Sequence, residues 1–185
     1  MSGSNIEERW SVTVGETVQI IIANVLSAGL PDDRYRQQLL VLDVARELVA
    51  DMDLSTIRRR AFVAEVTTFT GCYLHRFLPA APWKMLGTEV QLMSSRADVV
   101  WENADTGKIL LDEVKTGRTR VNHAVFKDQA LRHLEGAVDM WGQRVVGVRL
   151  LWLGAPHSSQ FYRPGSNRAV DLWNSGYAEI GRAVL

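Results

Sequence analysis

Two segments hold the residues whose types and spacing could do chemistry: Arg96-Ala97-Asp98-Val99-Val100-Trp101 and Leu110-Leu111-Asp112-Glu113-Val114-Lys115-Thr116-Gly117. Side chains alternate along a strand, so Glu113 and Lys115 project from one face with the Val114 carbonyl between them. If the segments pair across the turn at 103–107, Asp98 comes beside Glu113, and two carboxylates and an ammonium share one small volume. Neighbouring carboxylates repel, a divalent cation relieves the repulsion, and oxygen ligands suit Mg²⁺ or Mn²⁺. One or two such ions would acidify a bound water and stabilise charge on phosphoryl oxygens, while Lys115 orients the water or offsets that charge. The implied reaction is hydrolysis of a phosphodiester. An Asp followed fourteen residues later by Glu-x-Lys also arises by chance, and on that spacing alone a solvent-facing Glu113–Lys115 ion pair is the plainer reading. The apolar strand around Glu113, the intervening turn and polar residues on the flanking helices favour the site.

The elements that must position these residues follow from periodicity. Val41, Val44, Ala45, Leu48, Val49 and Met52, then Phe62, Val66, Phe69, Tyr73 and Phe77, recur at helical spacing, so the first half reads as helical. After Pro82 the period changes. Residues 88–92, 96–101 and 108–115 are short runs rich in Val, Ile and Leu, the last two separated by Asn103-Ala104-Asp105-Thr106-Gly107, which predicts a three-stranded antiparallel meander. Asn122 can cap a helix running to about Trp141, with Phe126, Ala130, His133, Leu134, Ala137 and Trp141 along its apolar face. Residues 144–153 return to strand, the region of Phe161 and Tyr162 adds another, and 167–185 reads as a closing helix. The expected class is mixed α/β built on one sheet. It forms a single domain over 1–185, with an N-terminal helical part (1–60), a core (61–153) and a C-terminal strand and helix (154–185).

Gly71-Cys72-Tyr73-Leu74-His75 on the helix before the sheet, Asp98 on the second strand, Glu113-Val114-Lys115 on the third and Gln129 on the following helix stand in a recognisable order. In this the sequence resembles the PD-(D/E)xK nuclease superfamily, and within it the RecB-type nuclease domains that include the CRISPR-associated adaptation nucleases. The correspondence spans roughly residues 71–152. It implies a restriction-endonuclease-like core, a central mixed sheet with an antiparallel meander flanked by helices. It assigns His75, Asp98, Glu113 and the Val114 carbonyl to metal binding, Lys115 to catalysis beside the two acids, and Gln129 to positioning substrate or water. The family often writes its last motif as Gln-x-x-x-Tyr, whereas here the fourth residue after Gln129 is His133. Many relatives hold an iron–sulfur cluster on four cysteines, and this chain has only Cys72, so no such cluster is expected within it. No helicase motif accompanies the residues quoted, so a motor or other processing subunit would be a separate partner.

Around this core, Lys115, Arg118, Arg120, Lys127 and Arg132 stand against only Asp128, and with Arg96 they form a local patch for DNA phosphates. An ordinary solvated face explains any one of them as well. Glu65 and Glu89 are spare acids that could support the ligands from behind or complete a second metal site, although Arg58, Arg59 or Arg60 would also pair with Glu65. His123, His133 and His157 read as loop or surface residues, Cys72 as a small buried apolar residue, and most of the six tryptophans as core, with Trp83 the one to test for base stacking.

Twenty-one Lys and Arg balance twenty-one Asp and Glu, which removes any global attraction to nucleic acid and leaves only local patches. A single cysteine excludes an internal disulfide framework. The first residues lack a basic stretch followed by an apolar one, and no later apolar run is read as long enough to cross a bilayer, so the expectation is a cytoplasmic protein without membrane contact. The expected function is a metal-dependent deoxyribonuclease, an exonuclease on single-stranded or duplex ends in DNA processing, repair or defence. The rival is a catalytically silent relative serving as a nucleic-acid-binding subunit, and a third reading is an unrelated α/β domain with surface ion pairs. Rings and dimers occur among relatives, and nothing here selects an oligomer.

Overall fold

The computed structural model describes residues 3–93, 95–117, 123–166 and 168–172. The chain divides into two compact units, Met1–Arg76 and Phe77–Leu185.

The first unit is three helices, α1 (Gly3–Ala28), α2 (Arg34–Ala50) and α3 (Thr56–Arg76). Gly29 follows α1 at φ +83°, the left-handed conformation that ends a helix and that glycine adopts without strain. Asp33 then caps α2, its carboxylate accepting the Arg36 N–H at 2.8 Å. Buried Val14, Val18, Ile21, Ile22 and Val25 on α1, Val41, Ala45 and Val49 on α2, and Phe62, Val66, Phe69 and Tyr73 on α3 repeat every three or four residues, so each helix turns one stripe inward. Residues Trp10–Ala28 are, contrary to the sequence expectation, long and apolar enough to cross a membrane by length and composition. Within this unit α1 packs on α2 and α3 as a core helix does, and Val12 and Ile20 add apolar content on its exposed side.

The second unit is a six-stranded sheet in the order β1-β2-β3-β4-β5-β6, from β1 (Trp83–Gln91), β2 (Arg96–Asn103), β3 (Ile109–Lys115), β4 (Val145–Trp152), β5 (Gln160–Tyr162) and β6 (Val170–Asp171), with α4 (His123–Trp141) between β3 and β4. The fold is mixed α/β, as the alternation of strand and helix periods predicts. The meander forms as expected: β1, β2 and β3 are antiparallel neighbours. Asn103 closes the β2–β3 turn, its side-chain oxygen accepting the N–H groups of Asp105 at 3.1 Å and Thr106 at 3.0 Å, and Gly107 takes the positive φ the turn requires. Through α4 the chain crosses over to set β4 parallel to β3, with Glu113 opposite Leu150 and Lys115 opposite Trp152. The core lies between α4 and one sheet face, where Ala130, Leu134 and Ala137 meet Val100, Ile109, Leu111, Val148, Leu150 and Trp152.

Two element expectations need restating. Strand β1 begins at Trp83, opposite Asn103 and five residues ahead of the run at 88–92. Residues 168–172 do not begin a helix: Val170 and Asp171 pair with Phe161 and Gln160, and the Leu172 N–H donates to the Ser159 carbonyl. A sheet edge competes successfully there with a weak helical pattern. The remainder of the expected closing helix, residue 167 and residues 173–185, lies outside the described residues, as does the Asn122 cap.

Candidate active site

Strands β2 and β3 pair Val99 with Asp112 and Val100 with Leu111, and continuing that register by one residue sets Asp98 opposite Glu113. At this place the Asp98 carboxylate accepts the Val114 N–H at 2.6 Å, tying the start of β2 to the end of β3. Two residues of strand alternation then put Lys115 on the Glu113 side, where its ammonium donates to Glu113 Oε1. The same ammonium lies 4.9 Å from the centre of the Phe126 ring, whose edge packs on Trp152 with ring centres 5.5 Å apart. Lys115 is thereby held between a carboxylate and an aromatic face. Glu113 is 0% exposed, which rules out the solvent-facing ion pair that spacing alone favours.

The structure corrects the reading of His133 as a loop or surface residue. It lies on the inner stripe of α4 and is 3% exposed, because Ala130, Leu134 and Ala137 turn that stripe onto the sheet. Its Nδ1 stands 2.7 Å from Glu113 Oε2. The approach is off the direction in which the ring N–H would donate, so neither atom makes an aligned hydrogen bond and both are buried. Burial pushes the Glu113 carboxyl upward, but His133 and Lys115 outweigh it and hold the group below its ordinary range. Asp98 behaves in the opposite way. Burial and the neighbouring Glu113 charge push it up to about 8, against the pull of Lys115 and the Val114 N–H. Of two adjacent acids, one is kept ionised and the other is kept protonated up to near neutral pH, a division of labour that favours proton handling at a site.

Glu89 also belongs to this neighbourhood. Its charge adds to the repulsion on Asp98, and its carboxylate pairs with Arg96 at 2.5 Å. Glu89 has φ +51°, the one described non-glycine residue in the left-handed region, a conformation costly for a residue with a Cβ. Arg96 is thus engaged by an acid in this structure.

On the other face of β3 the structure holds a buried group that sequence reasoning missed. Asp112 receives two bonds from Arg149 of β4, Nε at 2.6 Å and Nη2 at 2.7 Å, and a third from Trp101 Nε1 at 2.8 Å. Asp112 and Arg149 are directly opposed in the parallel register. The available signal was one acid and one base of opposite sign, each inside an otherwise apolar strand.

The other expected residues are placed as follows. His75 lies in the last turn of α3 in the first unit and lines, with Gln37, Val41, Thr68 and Gly71, a groove of about 400 Å³ between α2 and α3. Burial and the Arg34 charge lower its pKa. A Cβ at Gly71 would meet nothing within 4 Å, in line with open space above that residue. Glu65 accepts a bond from Trp10 Nε1 at 2.9 Å rather than pairing with an arginine. Burial raises the pKa of half-buried Cys72 against an opposing pull from Arg76. Gln129 is half-buried one turn before His133, Lys127 is half-buried, Arg132 and His157 are exposed, and Arg118 and Arg120 lie outside the described residues. The side chain of His123 is likewise outside them.

Among the described residues no group of three or more His, Cys, Asp or Glu side chains is arranged to hold a metal ion. A cation that keeps several waters needs only one or two protein carboxylates, and the orphaned, buried Glu113 Oε2 is a donor of that kind. In comparisons with known proteins, no family model and no curated protein matches this chain.

Proposed function

We propose that the second unit hydrolyses DNA phosphodiester bonds with the aid of one or two Mg²⁺ or Mn²⁺ ions, acting as a cytoplasmic exonuclease in DNA processing, repair or defence. The observation that supports this most is the junction of β2 and β3, where Asp98, fully buried Glu113 and Lys115 are gathered at one strand end. Glu113 and Asp98 would hold the cation, together with the Val114 carbonyl as the resemblance assigns it. A bound divalent cation supplies a more acidic water and stabilises charge building on the phosphoryl group. Lys115, kept in place by Glu113 and Phe126, offers its ammonium to the attacking water or to the phosphoryl oxygens. Gln129 positions substrate from α4, and Arg96, Arg118, Arg120, Lys127 and Arg132 supply charge to flanking phosphates. A separate motor or processing subunit would feed it DNA.

The test is incubation with linear single-stranded, linear duplex and circular DNA in Mn²⁺, comparing wild type with Glu113→Ala and Lys115→Ala. Loss of cleavage in both variants supports the hydrolase, and sparing of circles supports exonuclease action. Retention of DNA without cleavage by wild type replaces the hydrolase with a binding subunit. Neither activity overturns both.

A further inference from the structure

His133 Nδ1 and Glu113 Oε2 form an unusual pair: both are buried, both lack an aligned hydrogen bond, and they stand 2.7 Å apart. Positive charge, on a protonated imidazole or on a metal ion, makes that separation favourable. A proton on Nδ1 points away from the line to Oε2, so it satisfies neither atom well. Two donors to one metal ion meet a different condition. Adjacent ligands of an octahedral ion with bonds of about 2.1 Å subtend about 90° and lie about 3.0 Å apart. The other oxygen of Glu113 is already taken by Lys115, which leaves Oε2 as the free donor. The imidazole is carried by α4, a helix fixed to the sheet by Ala130, Leu134 and Ala137, so its nitrogen is presented with little freedom to move away.

We propose that His133 Nδ1 and Glu113 Oε2 are neighbouring donors to one divalent cation, and that the imidazole gives the site a preference for Mn²⁺ over Mg²⁺. Nitrogen donors bind Mn²⁺ more readily than the strictly oxygen-seeking Mg²⁺. This inference rests on the cation of the proposed function, not on the reaction. It makes His133 a ligand in the place where motif matching finds only a departure, and it gives the second unit an imidazole donor of its own.

The experiment uses the full chain stripped of metal and titrated with Mn²⁺. Electron paramagnetic resonance reads free Mn²⁺, and electron spin echo modulation reads ¹⁴N coupling to the bound ion. Wild type is expected to show imidazole coupling, His133→Gln to lose it with affinity about 10–100-fold weaker, and His75→Gln to keep both. A second measurement needs no substitution: in ¹⁵N-histidine-labelled wild type, substoichiometric Mn²⁺ should broaden the His133 Nδ1 resonance before those of His123 and His157. Undiminished affinity and nitrogen coupling in His133→Gln, or first broadening at His75, overturns the proposal. Absence of Mn²⁺ binding by wild type overturns both this proposal and the cation-dependent reading. Binding through His133 without any DNA cleavage upholds the ligand assignment and refutes the hydrolase alone.

Discussion

Replacing Asp112 by Leu should unfold the protein more readily than any surface substitution, because Arg149 is 3% exposed and loses both of its bonds to the carboxylate while Trp101 loses an acceptor. Removing one member of a buried ion pair costs about 3–5 kcal/mol, since the remaining charge stays in a low-dielectric interior. Arg149→Met should cost a similar amount for the converse reason. The double variant Asp112→Leu/Arg149→Met removes both charges, and exchanging a buried pair for apolar residues of similar size is near neutral, so it should be more stable than either single variant. Urea denaturation followed by far-ultraviolet circular dichroism supplies the free energies, and the summed fluorescence of the six tryptophans gives a second probe of the same transition. Costs that simply add in the double variant, or an Asp112→Leu cost below about 1 kcal/mol, would refute the claim that the two charges are a mutually dependent unit.

Other outcomes follow from the site and its packing. Asp98 binds its proton more tightly folded, at about 8, than at its ordinary 3.8, so its stabilising contribution is complete below about 4 and is lost as pH rises towards 8. Metal-free Asp98→Asn should therefore lose less stability than wild type between those pH values, and identical slopes in pH-dependent denaturation would refute this. Glu113, held below its ordinary 4.5, contributes in the opposite sense: its stabilisation is present above that value and disappears as the solution is acidified through its lower folded pKa. Divalent cation should raise the melting temperature of wild type by binding the folded state, and Glu113→Gln should abolish most of that rise; an unchanged rise removes Glu113 as a ligand. Phe126→Leu should lower the cleavage rate roughly tenfold, the worth of a part-buried cation–π contact, with Tyr at that position restoring it. Equal rates for Leu and Tyr would mean that the ring does not position Lys115. Gly147→Ala places a Cβ 2.3 Å from the Tyr162 carbonyl oxygen, a clash with backbone that should cost about 1–3 kcal/mol or more in thermal unfolding.

Sequence alone determined the features that depend on near neighbours along the chain. The helical period of residues 41–77, the strand period after Pro82 and the turn chemistry of Asn103 and Gly107 lead to the β1–β2–β3 meander, and alternation then puts Glu113 and Lys115 on one side with Asp98 opposite Glu113. The helical period already puts His133 on the apolar stripe of α4, but tertiary structure alone decided that this stripe brings the imidazole to Glu113. It likewise decided that Arg149, 37 residues from Asp112, lies directly opposite it. Both facts depend on the crossover that lays β4 parallel to β3, and the register of such a pairing is chosen by how the whole helix–sheet interface packs. Local propensities encode a strand's period and a turn's shape; they carry no record of which buried charge a distant strand or helix will bring to meet it.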